Sequence, residues 1–156
     1  MSIADKLGAY LEQQRVSYCV DFHGHTDSSL ETVARTHLSP RRFAKAVVVS
    51  ADESPVMVVV QAIDHVDLSA VGHFLGTTVD LVAEEALPGL FPDCETGAIP
   101  ALGAAWGMRT LLDKDVMAEP QVSIEAGDHV HLLTFDREMF GQLHEGSEVG
   151  HFGHIL

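Results

Sequence analysis

Histidine is the residue type in this chain that most readily suggests chemistry, because ten copies occur among 156 residues. Six of them form three close pairs: His23/His25, His129/His131 and His151/His154. On a strand, residues i and i+2 point to the same face, so the first two pairs could each place two imidazoles on one metal ion. The chain has no HExxH motif and no paired CxxC motif. We therefore predict no bound metal and no other cofactor, and the histidines then line a pocket or lie on the surface.

Several common catalytic motifs are absent. Neither Cys19 nor Cys94 stands in a cysteine–histidine signature, and no G-x-S-x-G nucleophile elbow occurs. A phosphate-binding Walker loop and a G-x-G-x-x-G fingerprint are also missing. The sequence thus argues against serine or cysteine nucleophiles and against dinucleotide binding.

Lys45 stands near the start of an otherwise apolar run, Ala44–Val49. A lysine in that position either extends from the end of a strand to water or places its charge at the mouth of a pocket. The sequence alone leaves both interpretations open.

A second unusual segment is rich in glycine, proline and small residues and runs from Phe91 to Gly103. Backbone N–H groups in such a loop can approach a ligand closely, since glycine carries no side chain. The alternative interpretation is a plain connection between two elements.

The charge balance is acidic, with nine basic and 23 acidic residues and a formal net charge of −14. Such a charge argues against nonspecific binding of nucleic acid, because phosphate repels a net anion. Four of the basic residues nevertheless fall in one short stretch without an acid: Arg35, Arg41, Arg42 and Lys45. This stretch is either a small basic patch for an anionic partner or an ordinary solvated surface.

Local patterns predict the elements that must position these residues. In the first half, we predict a helix over Ser2–Gln14 with Ser2 as its cap, a strand over Val16–Phe22 and a loop over His23–Asp27. A second helix should run from Ser28 or Ser29 to about His37, and a hairpin should follow with strands Lys45–Ser50 and Pro55–Ala62. We predict a third helix over Leu68–Leu75, capped by Asp67 and ended by Gly76.

In the second half, we predict a helix over Leu81–Leu90, strands over Arg109–Leu112, Gln121–Glu125 and His129–Phe135, a helix from Asp136 to about Leu143, and a partly mobile tail over Glu145–Leu156. Because hairpins are interleaved with helices, the pattern favours a mixed α+β fold over a doubly wound parallel sheet.

The length of 156 residues suits a single domain, 1–156. No apolar run approaches the roughly 20 residues of a membrane span, so we expect no membrane partner. The N-terminus lacks a secretion signal, and two cysteines are too few for a disulfide framework. These features predict a cytoplasmic location.

Taken in order, these features resemble the YbaK/prolyl-tRNA synthetase-associated domain family. The resemblance rests on the Lys45 strand, the G-x-x-P element Gly97–Pro100, its continuation Ala101–Gly103 and the stretch Glu125–His129, and it extends roughly from Tyr10 to Leu143. It implies a compact mixed, barrel-like sheet flanked by helices.

The resemblance also implies an activity: hydrolysis of the ester of a mischarged tRNA, in trans and with no strong nucleophile. The implied reaction is substrate-assisted: the vicinal ribose hydroxyl and a water complete it beside a lysine and the G-x-x-P loop. An aminoacyl ester is already activated, so positioning and oxyanion stabilisation suffice. The implied catalytic residues are Lys45, Gly97 and Pro100. The implied substrate-binding residues are Tyr18, His25, Thr26, Ala98, Ile99, Gly103 and His129. The implied partner is the tRNA acceptor end, with a synthetase or fusion partner as a further source of tRNA affinity.

One departure from the family concerns substrate choice. Some members carry a polar residue directly after the lysine, where this chain has Ala46.

Two alternatives to the deacylase remain. One is a catalytically silent module of the same fold that binds an aminoacyl-like or nucleotide ligand. The other is a histidine-based metalloprotein.

Overall fold

The structure is a computed structural model that describes residues 3–26 and 28–155. Its α-helices are α1 (Asp5–Gln14), α2 (Ser29–Thr36), α3 (Leu68–Leu75), α4 (Leu87–Leu90) and α5 (Arg137–Leu143). Its strands are β1 (Cys19–Phe22), β2 (Ala44–Ala51), β3 (Ser54–Gln61), β4 (Asp64–Val66), β5 (Val79–Leu81), β6 (Thr110–Asp113), β7 (Gln121–Glu125), β8 (His131–Asp136), β9 (Glu148–Gly150) and β10 (Gly153–Ile155). No helix in these described ranges is both long and apolar enough to cross a membrane.

The largest sheet has the strand order β5-β2-β3-β6-β9. Its centre is the predicted hairpin, in which β2 and β3 pair antiparallel from Ala44 opposite Gln61 to Ala51 opposite Ser54. Strands β3, β6 and β9 then pair parallel. The mixture of parallel and antiparallel pairs confirms the predicted α+β class.

A second sheet, β1-β8-β7, is antiparallel and joins the first at the start of β2. Phe43 and Ser123 form a parallel bridge there, and the Ser123 N–H donates to the Arg42 carbonyl at 2.8 Å. Strands β10 and β4 form a separate antiparallel pair. The contact at Phe43 brings the end of β7, and the turn that follows it, close to β2.

The core lies on both faces of the β2–β3 hairpin. On one face, Ala44 and Val48 pack with Leu7 of α1 and with Leu102. On the other, Val49 packs with residues that include Val71 of α3. Because side chains alternate along β2, Ala44 and Val48 face the side of α1 and Val49 faces the side of α3.

Local capping signals account for the helices that the sequence predicts best. The Ser28 hydroxyl accepts a hydrogen bond from the Glu31 N–H at 3.2 Å, and the Asp67 carboxylate accepts one from the Ala70 N–H at 3.0 Å. Gly76 ends α3 with a φ of +75°. Helix α1 begins at Asp5 after Ala4, whereas the predicted cap Ser2 lies outside the described residues.

Two predicted segments are wrong. The helix predicted over Leu81–Leu90 is instead strand β5, a 3₁₀ turn over Glu84–Ala86 and the single-turn α4. Val79–Leu81 is drawn into the sheet by pairing with the end of β2. The tail after Glu145 carries two paired strands, β9 and β10, rather than a mobile segment.

Smaller corrections affect the histidine pairs and one cap. Strand β1 starts at Cys19 rather than Val16, and β8 starts at His131 rather than His129. His129 therefore lies before its strand, and His23 lies in the predicted loop after Phe22, so the argument that i and i+2 share a strand face fails for both pairs. Asp136 precedes α5, but its side chain does not cap that helix.

Candidate active site

The G-x-x-P element forms a tight loop that is anchored to the turn after β7. Gly97 has a φ of +88°, which favours glycine, while Ala98 and Pro100 are buried. The Ala98 N–H donates to the Glu95 carbonyl at 3.1 Å, and the Glu95 N–H donates to the Gly127 carbonyl at 2.7 Å. The Ile99 N–H makes no hydrogen bond to any described residue. One amide of the loop is therefore available to an incoming acceptor.

His129 lies directly beside this loop and is only 4% exposed. Its Nε2 is hydrogen-bonded to the carbonyl oxygen of Thr96, the residue before Gly97. Because a carbonyl can only accept, Nε2 is the donor, and in the corresponding neutral tautomer Nδ1 is an acceptor. That Nδ1 is buried and has no hydrogen bond within residues 3–26 and 28–155. The site thus contains a buried ring acceptor without a hydrogen bond and, in the adjoining loop, an amide donor without one.

The backbone of His129 is held in an uncommon conformation, with a φ of +62°. Two sets of contacts fix it. The Thr26 N–H donates to the His129 carbonyl at 3.1 Å. The Asp128 carboxylate accepts the Val130 and His131 N–H groups at 3.0 and 2.9 Å and also binds the His131 ring. Burial acts to raise the pKa of Asp128, but these hydrogen bonds hold it below its usual value.

The loop before α2 lies next to His129. Thr26 is buried and its hydroxyl is hydrogen-bonded to the Thr32 hydroxyl of α2. The His25 ring lies 5.3 Å from the His129 ring, measured between centroids. The fold therefore brings His25, Thr26 and His129 together next to Gly97, although they come from three separate parts of the sequence.

Next to this loop lies a buried carboxylate, Glu125, at the end of β7. It accepts hydrogen bonds from His23 Nε2 at 3.0 Å and from the Thr32 hydroxyl at 3.2 Å. Burial raises the pKa of Glu125, while His23, Thr32 and His129 act in the opposite direction. Glu125 and His23 are not among the predicted site residues. A glutamate at the end of an apolar strand was the signal that could have identified the pair.

Lys45 makes different contacts. It is half-buried, and its Nζ donates to the Ala62 carbonyl at a long 3.4 Å. Burial lowers the pKa of Lys45, and the charge of Asp64 opposes that shift. Along β2, Lys45 alternates with Ala44 and Ala46, which face the cluster that contains the loop residue Ala101. None of the hydrogen bonds or ion pairs within the described residues joins Lys45 to the G-x-x-P loop.

The remaining predicted site residues lie at the margins. Tyr18 is partly exposed and its ring lies 5.5 Å from that of Phe135. Gly103 is buried, and a Cβ at that position would lie 2.1 Å from the Thr110 hydroxyl, so packing against β6 requires glycine there. Their assignment to the substrate stays a prediction.

The basic stretch is divided in the structure. Arg35 lies close to Gly24, on the loop that carries His25. Arg42 is bonded to the Gln121 side chain, and Arg41 faces Asp64. Arg35 is therefore the member of this group that lies nearest to the histidine loop.

Comparison with solved structures gives the same fold. A protein described as a candidate trans-editing enzyme for prolyl-tRNA synthetase matches with a TM-score of 0.81 and 17% identity, over 97% of this chain and 96% of that one. A hypothetical protein matches with a TM-score of 0.85 and 15% identity, over 96% and 100%. A candidate signal transduction protein from Marinobacter aquaeolei matches with a TM-score of 0.76 and 19% identity, but only over 31% of its length against 97% of this chain.

The sequence itself identifies the family. No curated protein matches the chain. The family model of the aminoacyl-tRNA editing domain matches residues 23–140, a range that includes Lys45, the G-x-x-P loop and His129. This confirms the resemblance seen in the sequence. The chain belongs to the aminoacyl-tRNA editing domain family.

Proposed function

We propose that this protein is an aminoacyl-tRNA deacylase that acts in trans on mischarged tRNA. The family match supports the substrate class. The observation that carries the proposal is that a donor and an acceptor at the G-x-x-P loop have no hydrogen bond to any described residue: the Ile99 N–H and the buried Nδ1 of His129.

This arrangement suits an activated ester. The Ile99 N–H can donate to the ester carbonyl oxygen as negative charge develops there, which is the role of an oxyanion donor. The Nδ1 of His129 can accept a hydrogen bond from the attacking water or from the α-ammonium group of the substrate. Water then adds to the carbonyl carbon, the ester C–O bond breaks, and the ribose oxygen leaves with a proton that comes from the water.

Lys45 takes part in this proposal only after a movement. Its amine is held by one long hydrogen bond to Ala62, and releasing such a bond costs about 1 kcal/mol or less. A phosphate or ribose oxygen of the terminal nucleotide competes well for the ammonium group, because it offers a charge-assisted bond. We place Lys45 in contact with the acceptor end rather than with the reacting carbonyl.

A second function is favoured by the present contacts of Lys45. If the amine stays turned toward Ala62 and Asp64, the proposed site lacks the cation that would hold the terminal nucleotide. The protein then binds an aminoacyl-like ligand without cleaving it. The acidic charge of −14 and the apolar Ala46 are consistent with this silent module.

One experiment separates the two functions. Purified protein is incubated with a panel of tRNAs that each carry a mismatched, radiolabelled amino acid, and the loss of the label is followed over time. A deacylase releases one or a few amino acids at least tenfold faster than buffer, and the Lys45→Ala variant does not. If the label is lost at the buffer rate for every tRNA, while direct binding is still measured, the silent module is correct.

A further inference from the structure

A second cleft lies away from the G-x-x-P loop, where the ends of β4 and β6 meet the connection between β9 and β10. Its volume is about 280 Å³, and its polar lining includes Gln61, Asp64, Asp115 and His151. The proposed deacylation uses none of these side chains.

Three potential metal ligands converge there. One ligand atom from each of Asp113, Asp115 and His151 lies within 4.8 Å of the others. Asp113 is fully buried and fixed: its Oδ2 accepts the Phe152 and Gly153 N–H groups, each at 2.8 Å, and its Oδ1 accepts the Asp115 N–H at 2.9 Å. The Nδ1 of His151 lies 3.8 Å from Asp113 Oδ2. The backbone of the β9–β10 connection therefore holds this carboxylate in one position.

Asp64 supplies the independent observation. It is only 4% exposed and lines the same cleft, yet its carboxylate makes no hydrogen bond to any described residue. The charges of Asp113 and Asp115 act on it, as do the opposite charges of Lys45 and Arg41. A buried carboxylate that faces two others without a hydrogen bond is costly unless a cation compensates it.

We propose that this cleft binds a divalent transition-metal ion through His151 and the carboxylates of Asp113 and Asp115, with the carboxylate of Asp64 in the same cleft as a further negative charge. One imidazole with several carboxylates suits Zn²⁺ or Mn²⁺ better than Mg²⁺ or Ca²⁺, which prefer oxygen alone. The ion links β6, the turn that follows it and the β9–β10 connection, so its effect is on stability. The inference uses different residues from the proposed deacylase and does not depend on it.

Zn²⁺ is the probe for the test. The whole chain is freed of metal with a chelator, and ZnCl₂ is titrated calorimetrically, with the thermal midpoint measured in parallel. We expect one ion per chain and a midpoint that rises with free Zn²⁺. His151→Gln and Asp115→Asn should each weaken binding by about tenfold or more, while the midpoint without metal shows whether each variant folds.

The matched control is His65→Asn. His65 and His154 stand opposite each other on β4 and β10 and are both exposed, so they form a competing two-histidine site. Unchanged Zn²⁺ binding in His65→Asn supports the proposed cleft. Two results overturn the proposal. The first is loss of Zn²⁺ binding in His65→Asn together with full binding in His151→Gln. The second is the absence of any binding in the parent, because Arg41 and Lys45 would then be the counter-ions of Asp64. Because binding is measured without tRNA, a failed deacylation assay has no bearing on this result.

Discussion

At the scale of single residues, His129 combines an uncommon backbone conformation with an available ring nitrogen. His129→Asn tests the ring without disturbing the backbone, since asparagine tolerates positive φ better than most residues. We expect a loss of at least tenfold in deacylation rate, about 1.4 kcal/mol, with little change in the unfolding midpoint. The measurement is single-turnover deacylation together with urea unfolding.

His37→Asn is the matched control, because His37 also has a positive φ, +58°, but lies exposed at the end of α2. It should leave the rate unchanged. Equal rates for His129→Asn and the parent would remove His129 from the proposed site.

Lys45 gives the second residue-scale prediction. Lys45→Ala should fold normally and lose most of the deacylation, because the variant has no cation to hold the terminal nucleotide. Lys114→Ala, at an exposed lysine, serves as the control. The assay compares initial rates at subsaturating tRNA with circular dichroism of the same preparations, and a Lys45→Ala variant at the parental rate would show that the lysine has no role in cleavage.

The sequence identifies Lys45 and His129 as candidate site residues, but it does not show which residues they contact. The sequence contains no acid within five residues of Lys45, and yet the charge of Asp64 in β4 acts on its amine. Likewise, nothing near His129 in the sequence indicates that its ring binds the Thr96 carbonyl. Both contacts depend on sheet pairing between distant segments, which single-residue reasoning does not supply.

At the scale of elements, the G-x-x-P loop depends on the φ of +88° at Gly97. A side chain there is strained by about 1 kcal/mol or more. Gly97→Val should therefore lower the midpoint as well as the rate, and the smaller Gly97→Ala is the better probe. We expect Gly97→Ala to lose at least tenfold in turnover per folded molecule, because the loop amides no longer point at the substrate.

Gly89→Ala in α4 is the control for this loop, since an added Cβ meets nothing within 4 Å and the backbone needs no positive φ. Turnover and the free energy of unfolding are measured on the same sample. A Gly97→Ala variant that loses stability but keeps its turnover per folded molecule would reduce the loop to a connection.

Helix α5 is tied to the same loop by His144. Its Nε2 donates to the Ala101 carbonyl at 2.9 Å, and burial lowers the pKa of His144 to about 4 from an ordinary 6.5. Below pH 6.5 the unfolded chain takes up this proton, whereas the folded chain does so only near pH 4. The contribution of neutral His144 to the free energy of unfolding is therefore fully present above pH 6.5. It is lost as the pH falls to about 4, and the loss amounts to up to about 3 kcal/mol.

His144→Gln should flatten the pH dependence of urea unfolding between pH 7 and pH 4. The exposed His73→Gln should leave it as in the parent. The same slope in His144→Gln and in the parent would mean that other groups cause the acid sensitivity.

The sequence predicts elements well where the signal is local. The caps Ser28 and Asp67 and the terminator Gly76 act within one turn, so α2 and α3 are predicted almost to the residue. Strands β5 and β9 were missed because their stability comes from pairing with β2 and β6, far away in the chain.

At the scale of the whole molecule, the charge of −14 limits how the protein can hold tRNA. The basic stretch offers at most four cations, and Arg41 and Arg42 are already engaged with Asp64 and Gln121. The slope of log K against log salt should be no steeper than about −3, at roughly 0.7 per single-strand contact. Fluorescence anisotropy of a labelled acceptor-stem RNA across a salt series measures it, and a slope near −8 would require a much larger basic footprint.

The two strands after α5 have a consequence for how the molecule is made. Strand β9 covers the outer side of β6, and β10 covers β4, so two strand edges stay open until residues 148–155 have been synthesised. Until then β6 presents a strand edge that includes the apolar Leu111 and Leu112, which invites pairing with another chain. The nascent protein therefore depends on its last strands for protection from aggregation, and solubility during expression should respond more sharply to changes in 148–155 than to changes in α1.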